Sequence, residues 1–227
     1  MEKRTLIMGG YDTASHNWTL SKCKITKAAQ VQTLVNVPGR IAPLDFSTAL
    51  TDGQPYYGTA SLAATLECSE GNRDSRQSLI NTLVNYVDGR RLNIVHPDHP
   101  EHYLSGRIQA RQEYSDLAHC AVSISAVCDP WLYEAEETIV TLSATTTAKE
   151  VSISIHGRMA VVPVVTVASA VTITFNGSTW SLSKGEHILP DLYLTPSEVP
   201  GEPRIHKLTY TATGNVTLTY REAVLAV

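Results

Sequence analysis

Apolar and polar residues alternate with a period of two along most of this chain, and only one stretch carries the 3.6-residue period of a helix. The alternating runs are short, crowded with Thr, Val, Ser and Ile, and bounded by turn residues. Successive strand side chains face opposite sides of a sheet, so such runs bury one face and wet the other. In Ser61 to Cys68, for example, Leu62, Ala64, Leu66 and Cys68 share one face. The expectation is a mainly β protein with one helix.

Residues 1 to about 70 are expected to form strands broken by turns. Val35-Asn36-Val37-Pro38-Gly39 ends one strand, and Ile41 to Phe46 is expected to continue as an irregular connection holding Pro43. The helix follows. Asp74 is placed at its N-cap, with Gln77 completing a capping-box pattern. Leu79, Ile80, Leu83, Val84 and Val87 form one apolar stripe facing the core, and Gly89 stands where a left-handed residue closes a helix. A short strand (Arg91 to Val95), a proline-rich turn and two long strands come next. Tyr103 to Tyr114 and Leu117 to Cys128 flank a hairpin turn at Ser115-Asp116. In the second strand Cys120, Val122, Ile124, Ala126 and Cys128 share the core face, opposite Ser123 and Ser125.

Composition shifts at Asp129-Pro130-Trp131-Leu132-Tyr133-Glu134-Ala135-Glu136-Glu137, where Pro130 is expected to interrupt pairing and the acidic residues suit an exposed connector. The expected domains are therefore 1–133 and 134–227. Beyond the boundary no helical pattern occurs. Val151 to Ile155 alternates, Val161 to Val167 reads as a buried run, and Val171, Ile173 and Phe175 lead into Asn176-Gly177. That dipeptide is the strongest short hairpin signal, because both central residues of a type I′ turn need positive φ. Trp180 and Leu182 alternate on the return strand. A last strand, Val216 to Glu222, places Val216, Leu218 and Tyr220 on one face behind a turn at Gly214-Asn215. Strands at this spacing describe a β-sandwich.

Charge and cysteine content exclude several function classes. With 18 basic and 22 acidic residues the net charge is −4, a sign that does not neutralise phosphates, so sequence-specific nucleic-acid binding is not expected. No apolar run approaches the roughly 20 residues needed to cross a bilayer, so membrane insertion is not expected either. The start, Met1 to Gly10, has a basic end but too short an apolar stretch for a signal peptide, which suggests folding in a reducing cytoplasm. Three N-x-S/T sequons, at Asn17, Asn176 and Asn215, then carry no weight. Cys120 and Cys128 lie on one strand pattern, which puts their Cα atoms roughly 26 Å apart, beyond bridging range. With Cys23 and Cys68 isolated elsewhere and no C-x-x-C pair, all four read as small apolar side chains.

The one stretch resembling a reactive site is His96-Pro97-Asp98-His99-Pro100-Glu101-His102. Pro97 and Pro100 rule out a helix, so imidazoles at three-residue steps do not share a helical face, and on an extended segment they alternate sides. A polar, proline-stiffened loop between strands is the simpler reading. The chain has no G-x-S-x-G, G-x-x-x-x-G-K-[ST], H-E-x-x-H or G-x-G-x-x-G pattern, and Glu136-Glu137 reads as connector. Arg90, Arg91, Arg107 and Arg111 are expected to be solvated or interface charges. No catalytic residue, metal ligand or cofactor is assigned, and the chain is not expected to be an enzyme.

In residues 1–133 one order of features resembles a known family. Val37-Pro38-Gly39 is followed by Leu44-Asp45-Phe46-Ser47, then Tyr57 and an alternating strand. After these come the helix ending at Gly89, the Pro97/Pro100 loop, Tyr103-Leu104-Ser105-Gly106-Arg107, and Cys128-Asp129-Pro130-Trp131. The series resembles the N-terminal domain of the distal tail proteins of long, non-contractile-tailed phages. The chain departs from that pattern at Ile41-Ala42-Pro43, where a second Gly is common, and at Gly58-Thr59-Ala60, where an Arg is. The resemblance implies an N-terminal β-sandwich with one α-helix and a long β-hairpin, plus a C-terminal galectin-like β-sandwich. It further implies a homohexameric ring at the distal end of the virion tail, assembled in the bacterial host cytoplasm. Such a ring joins the tail tube protein to the tail-tip or hub protein, lets DNA pass, and contacts receptor-binding or tape-measure proteins. The alternative is a carbohydrate-binding β-sandwich module of a tail or cell-surface protein. Against it, Trp180 follows Asn176-Gly177-Ser178 without the polar set of a galectin-like sugar site, and reads better as a core or interface aromatic.

Overall fold

The computed structural model describes residues 4–49, 54–69, 71–115, 118–199 and 201–226. The chain divides into two compact units, Met1–Leu132 with the residues from Leu225 onward, and Tyr133–Val224.

In the first unit the strands are β1 (Ile7–Met8), β2 (Tyr11–Asp12), β3 (Thr19–Thr26), β4 (Leu34–Val35), β5 (Leu44–Asp45) and β6 (Ala60–Cys68). Helix α1 (Arg73–Val87) follows, and then β7 (Arg91–Val95), β8 (His102–Ser115) and β9 (Cys120–Glu134). All but β4 and β5 join one sheet in the order β2-β1-β7-β8-β9-β6-β3, and β4 and β5 form a small hairpin of their own. Helix α1 packs on β8.

The sheet follows from the alternation. β6 pairs antiparallel with β9 from Ala60↔Cys128 to Cys68↔Cys120, so the apolar faces read from the sequence coincide rung by rung. The turn expected at Ser115-Asp116 involves Asp116 and Leu117, which lie outside the described residues; β8 and β9 are neighbours in the sheet as expected of a hairpin.

Three local readings are corrected. The helix N-cap is Asn72, not Asp74: the Asn72 side chain accepts the Ser75 N–H at 2.8 Å, and Asp74 sits in the first turn, where it complements the helix dipole. Gln77 consequently turns to Asn81 and Gln112 (3.2 and 3.4 Å). The buried stripe is Arg76, Ile80, Leu83 and Val87, with Leu79 and Val84 at its half-buried margins. Gly89 does adopt a left-handed φ of +70°, yet its amide donates across to Ile108 O (2.9 Å). Pro130 does not interrupt pairing: β9 runs through it, and its carbonyl accepts the Ala226 N–H at 3.0 Å. Proline removes only a donor, so a position that needs an acceptor tolerates it.

The second unit contains β10 (Thr138–Leu142), β11 (Thr145–Ile155), β12 (Val164–Val167), β13 (Val171–Phe175), β14 (Ser178–Leu182), β15 (Gly185–Ile188), β16 (Arg204–Ala212) and β17 (Val216–Tyr220). The closing strand β18 (Ala223–Leu225) pairs with β9. Sheets β10-β17-β12-β15 and β11-β16-β13-β14 share one core that includes Leu142, Val165 and Leu218 from the first and Ile153, Ile173 and Leu208 from the second. This is a β-sandwich. Asn176 (φ 48°) and Gly177 (φ 84°) form the expected turn between β13 and β14.

Two readings change here. Val161 to Val167 is no continuous run: only 164–167 is strand, Val161 bridges to Leu194, and burial alternates. The last strand of the sandwich sheet stops at Tyr220, and Glu222 turns inward.

Candidate functional site

His96 closes β7 and turns inward with 5% of its surface exposed. Its Nδ1 accepts the Asp98 N–H at 3.1 Å, which leaves the proton on Nε2, and Nε2 has no hydrogen-bond partner among the described residues. Burial pushes the imidazole below the ordinary histidine range; the Asp98 carboxylate opposes this, while His99 and Arg4 reinforce it. Asp98 is itself held by Arg4 at 2.5 Å on the surface. His99 stands beside His96, ring centroids 5.8 Å apart. Successive turns, His99 N to His96 O (2.9 Å) and His102 N to His99 O (3.1 Å), fold the loop. Among the described residues no three His, Cys, Asp or Glu side chains are placed to hold a metal.

The motif residues 103–107 and 128–131 build a frame. At Gly106 on β8, a Cβ would lie 2.4 Å from Cys128 Sγ and 2.9 Å from the Val127 carbonyl, so glycine is the residue that lets β8 and β9 approach. Arg107 reaches back to the Gly89 carbonyl at 2.6 Å, tying β8 to the end of α1. Arg91 pairs with Asp129 at 2.5 Å and donates to Ser105 Oγ at 3.2 Å. Trp131 meets Tyr57 edge-on, centroids 5.7 Å apart. Arg90 lies over the Tyr86 ring at 6.0 Å, and Arg111 is exposed. The four arginines expected as solvated or interface charges are all exposed, and Arg91 and Arg107 also tie surface elements together.

The frame carries an exposed arm. Gly58 N to Ala29 O and Val31 N to Tyr56 O (both 2.9 Å) fasten its base. Beyond them, residues Leu34–Val35 pair with Leu44–Asp45, so the stretch expected as an irregular connection is the return strand of a hairpin. The tip is a type II turn, with Pro38 fixing the first φ, Gly39 at +85°, and Arg40 N bonded to Val37 O at 3.1 Å. Asp45 accepts the Ser47 N–H at 2.8 Å, and hydrogen bonds from Ser47 hold its carboxyl below the usual range. Residues 29–43 are exposed without a break, and with them Leu34 (53%), Ile41 (108%), Phe46 (46%) and Tyr56 (59%). An isolated two-stranded hairpin is marginal in water, and exposed apolar patches of this kind mark contact surfaces. The sequence holds the turn signal, but whether Leu34 or Ile41 finds a core is not a local property.

In the second unit Trp180 is half-buried and packs on the sandwich core. A groove of about 330 Å³ in this unit is lined by hydroxyl residues such as Thr145, Thr172 and Ser181 together with apolar Val171 and Leu182, and none of its lining residues is an aromatic on which a sugar could stack. Two clamps order this unit's ends. Arg221 donates to the Glu134 and Ala135 carbonyls and pairs with Glu137 at 3.1 Å. Buried Glu222 accepts the His156 and Gly157 amides at 2.7 and 2.5 Å. Burial, then the Glu222 and Glu134 charges, push the Tyr220 phenol up to about 12.

No protein-family model and no curated protein matches the chain. Among solved structures, it is similar to the crystal structure of the Dit protein (gp 19.1) of phage SPP1, described as a paradigm of the hub adsorption apparatus in phages infecting Gram-positive bacteria. The TM-score is 0.62 at 16% identity, covering 97% of this chain and 99% of that one. It also matches a chain of the phage p2 baseplate in its activated conformation with Sr, with a TM-score of 0.47 at 8% identity, covering 95% and 93%.

Proposed function

We propose that this chain is a distal tail protein of a long, non-contractile-tailed phage or prophage, acting by assembly rather than catalysis. Six copies form a ring at the distal end of the virion tail, joining the tail tube to the tip or baseplate and leaving a channel for DNA. Residues 1–133 form the ring, and 134–227 make an outer galectin-like sandwich. The single observation that carries this reading is the likeness in fold to the SPP1 hub protein over nearly the full length of both chains. The motif series of residues 37–131, read independently from the sequence, points the same way.

The arm supplies the physical means. A closed ring needs two different patches on each subunit that meet after a fixed rotation. An anchored apolar hairpin is one such patch, and we assign the surface of the adjacent copy as its seat. Partners at the two ring faces are the tail tube protein and the tip or hub protein, with receptor-binding or tape-measure proteins beyond. A net charge of −4 suits a conduit through which DNA passes without being retained.

Native mass spectrometry and single-particle electron microscopy of the purified full chain test this. Six-fold rings around a channel are expected. A monomer at every concentration, alone and with its tail tube protein, refutes the assignment. Leu34→Asp with Ile41→Asp should release monomers while leaving the thermal midpoint of the subunit unchanged, since both side chains are solvated in the isolated chain.

A further inference from the structure

The register of β6 on β9 sets Cys68 directly opposite Cys120, on the buried face, at the end rung of the ladder. Directly opposed residues in an antiparallel pair have Cα atoms about 4.5–5.5 Å apart, inside the 4.4–6.8 Å range that a disulfide spans. Neither neighbouring rung, Glu67↔Ala121 or Leu66↔Val122, offers a second thiol, and Cys128 is paired with Ala60 at the far end. None of the four cysteines is joined in a disulfide. Cys120 is fully buried and Cys68 is 4% exposed, with exposed Ser69 following it directly. Burial pushes the Cys120 thiol up, the adjacent Cys68 pushes it further, and the buried guanidinium of Arg76 draws it partly back.

From this juxtaposition we propose that Cys68 and Cys120 are a redox modification site: a cross-strand pair that closes to a disulfide when a low-molecular-weight disulfide reaches it. The Cys68 thiolate, the more accessible of the two, attacks one sulfur of the oxidant, whose S–S bond breaks and releases one thiolate. The Cys120 thiolate then attacks the Cys68 sulfur of the mixed disulfide, forming the cross-strand bond and expelling the second thiolate. The two protein thiols lose two protons and two electrons, and the small disulfide is reduced to two thiols. Both sulfurs are buried, and burial disfavours the Cys120 thiolate, so the reaction is slow and waits on fraying of the strand ends. Closure locks α1, β7 and β8 inside a covalent loop. The use of such a staple by a particle leaving a reducing cytoplasm rests on the tail reading above; the pairing itself does not.

The test incubates reduced full-length protein with glutathione disulfide, quenches with acid, alkylates, and maps peptides by mass spectrometry. The expected product loses two of its four thiols, is 2 Da lighter, and carries one Cys68–Cys120 cross-link. Its unfolding equilibrium constant should fall on the order of a thousand-fold for a loop of this length. Cys23→Ser should behave as the parent, and Cys68→Ala should keep its remaining thiols. A cross-link between any other pair, a persistent glutathione adduct on either residue, or four intact thiols once the oxidant has consumed those of a reduced control dithiol peptide overturns the proposal. Should Cys68→Ala misfold, the peptide map of the parent alone decides.

Discussion

Replacing Gly106 by alanine is the sharpest probe of the frame. The added Cβ would sit 2.4 Å from Cys128 Sγ, 2.9 Å from the Val127 carbonyl oxygen and 3.2 Å from Cys128 Cα. Carbon contacts are comfortable near about 3.5–4.0 Å, so the sulfur alone must retreat by more than ~1 Å. A rotamer change could move the sulfur, but Cys128 is 2% exposed and in register with Ala60. The other two contacts are backbone, and relieving them means spreading β8 from β9. Overpacking of this kind costs about 1–3 kcal/mol, and the backbone share puts Gly106→Ala at the upper end. Cys128→Ala removes the nearest atom. On that background the glycine substitution should cost about 1 kcal/mol less, a coupling within the range of contacting residues. Urea unfolding of the four proteins of the cycle, compared at constant m, gives these numbers. A cost for Gly106→Ala within ±0.5 kcal/mol, or the same cost in both backgrounds, would refute the close approach.

Three further outcomes are expected. Because burial lowers the His96 pKa below its ordinary 6.5, the unfolded chain binds the proton more readily; stability should therefore be full above 6.5 and decline as pH falls from there to the folded-state value. Denaturation midpoints between pH 7.5 and 5 should show a slope of up to ~1.4 kcal/mol per pH unit that His96→Gln abolishes, and equal slopes would reject it. Glu222→Ala orphans the His156 and Gly157 amides and should cost about 2–5 kcal/mol, with Glu222→Gln losing less; calorimetry showing no drop in midpoint would contradict the clamp. Asn72→Ala should cost about 1 kcal/mol and Asp74→Ala less than that, and chemical denaturation giving the reverse order would restore Asp74 as the cap.

What could be read without coordinates is what neighbouring residues fix among themselves. Period-two alternation announced β6, β9 and β13, the stripe ending at Val87 announced the helix, and Asn176-Gly177 announced its hairpin, because each signal is complete within a few bonds. The N-cap slipped by two residues since Asn72 and Asp74 are both competent acceptors, and only the first turn's dihedrals choose between them. Pairing register, close approach and exposure were decided by the tertiary structure. Cys68 and Cys120 meet because a 52-residue excursion returns β9 to β6 in one register, and Gly106 matters because of an atom on a different strand. Likewise His96 is buried while Ile41 is bare, an inversion of their hydropathies. Each of these depends on which distant segments come to cover a residue, and the free energy that selects among such pairings is a sum over the whole core, to which no local window has access.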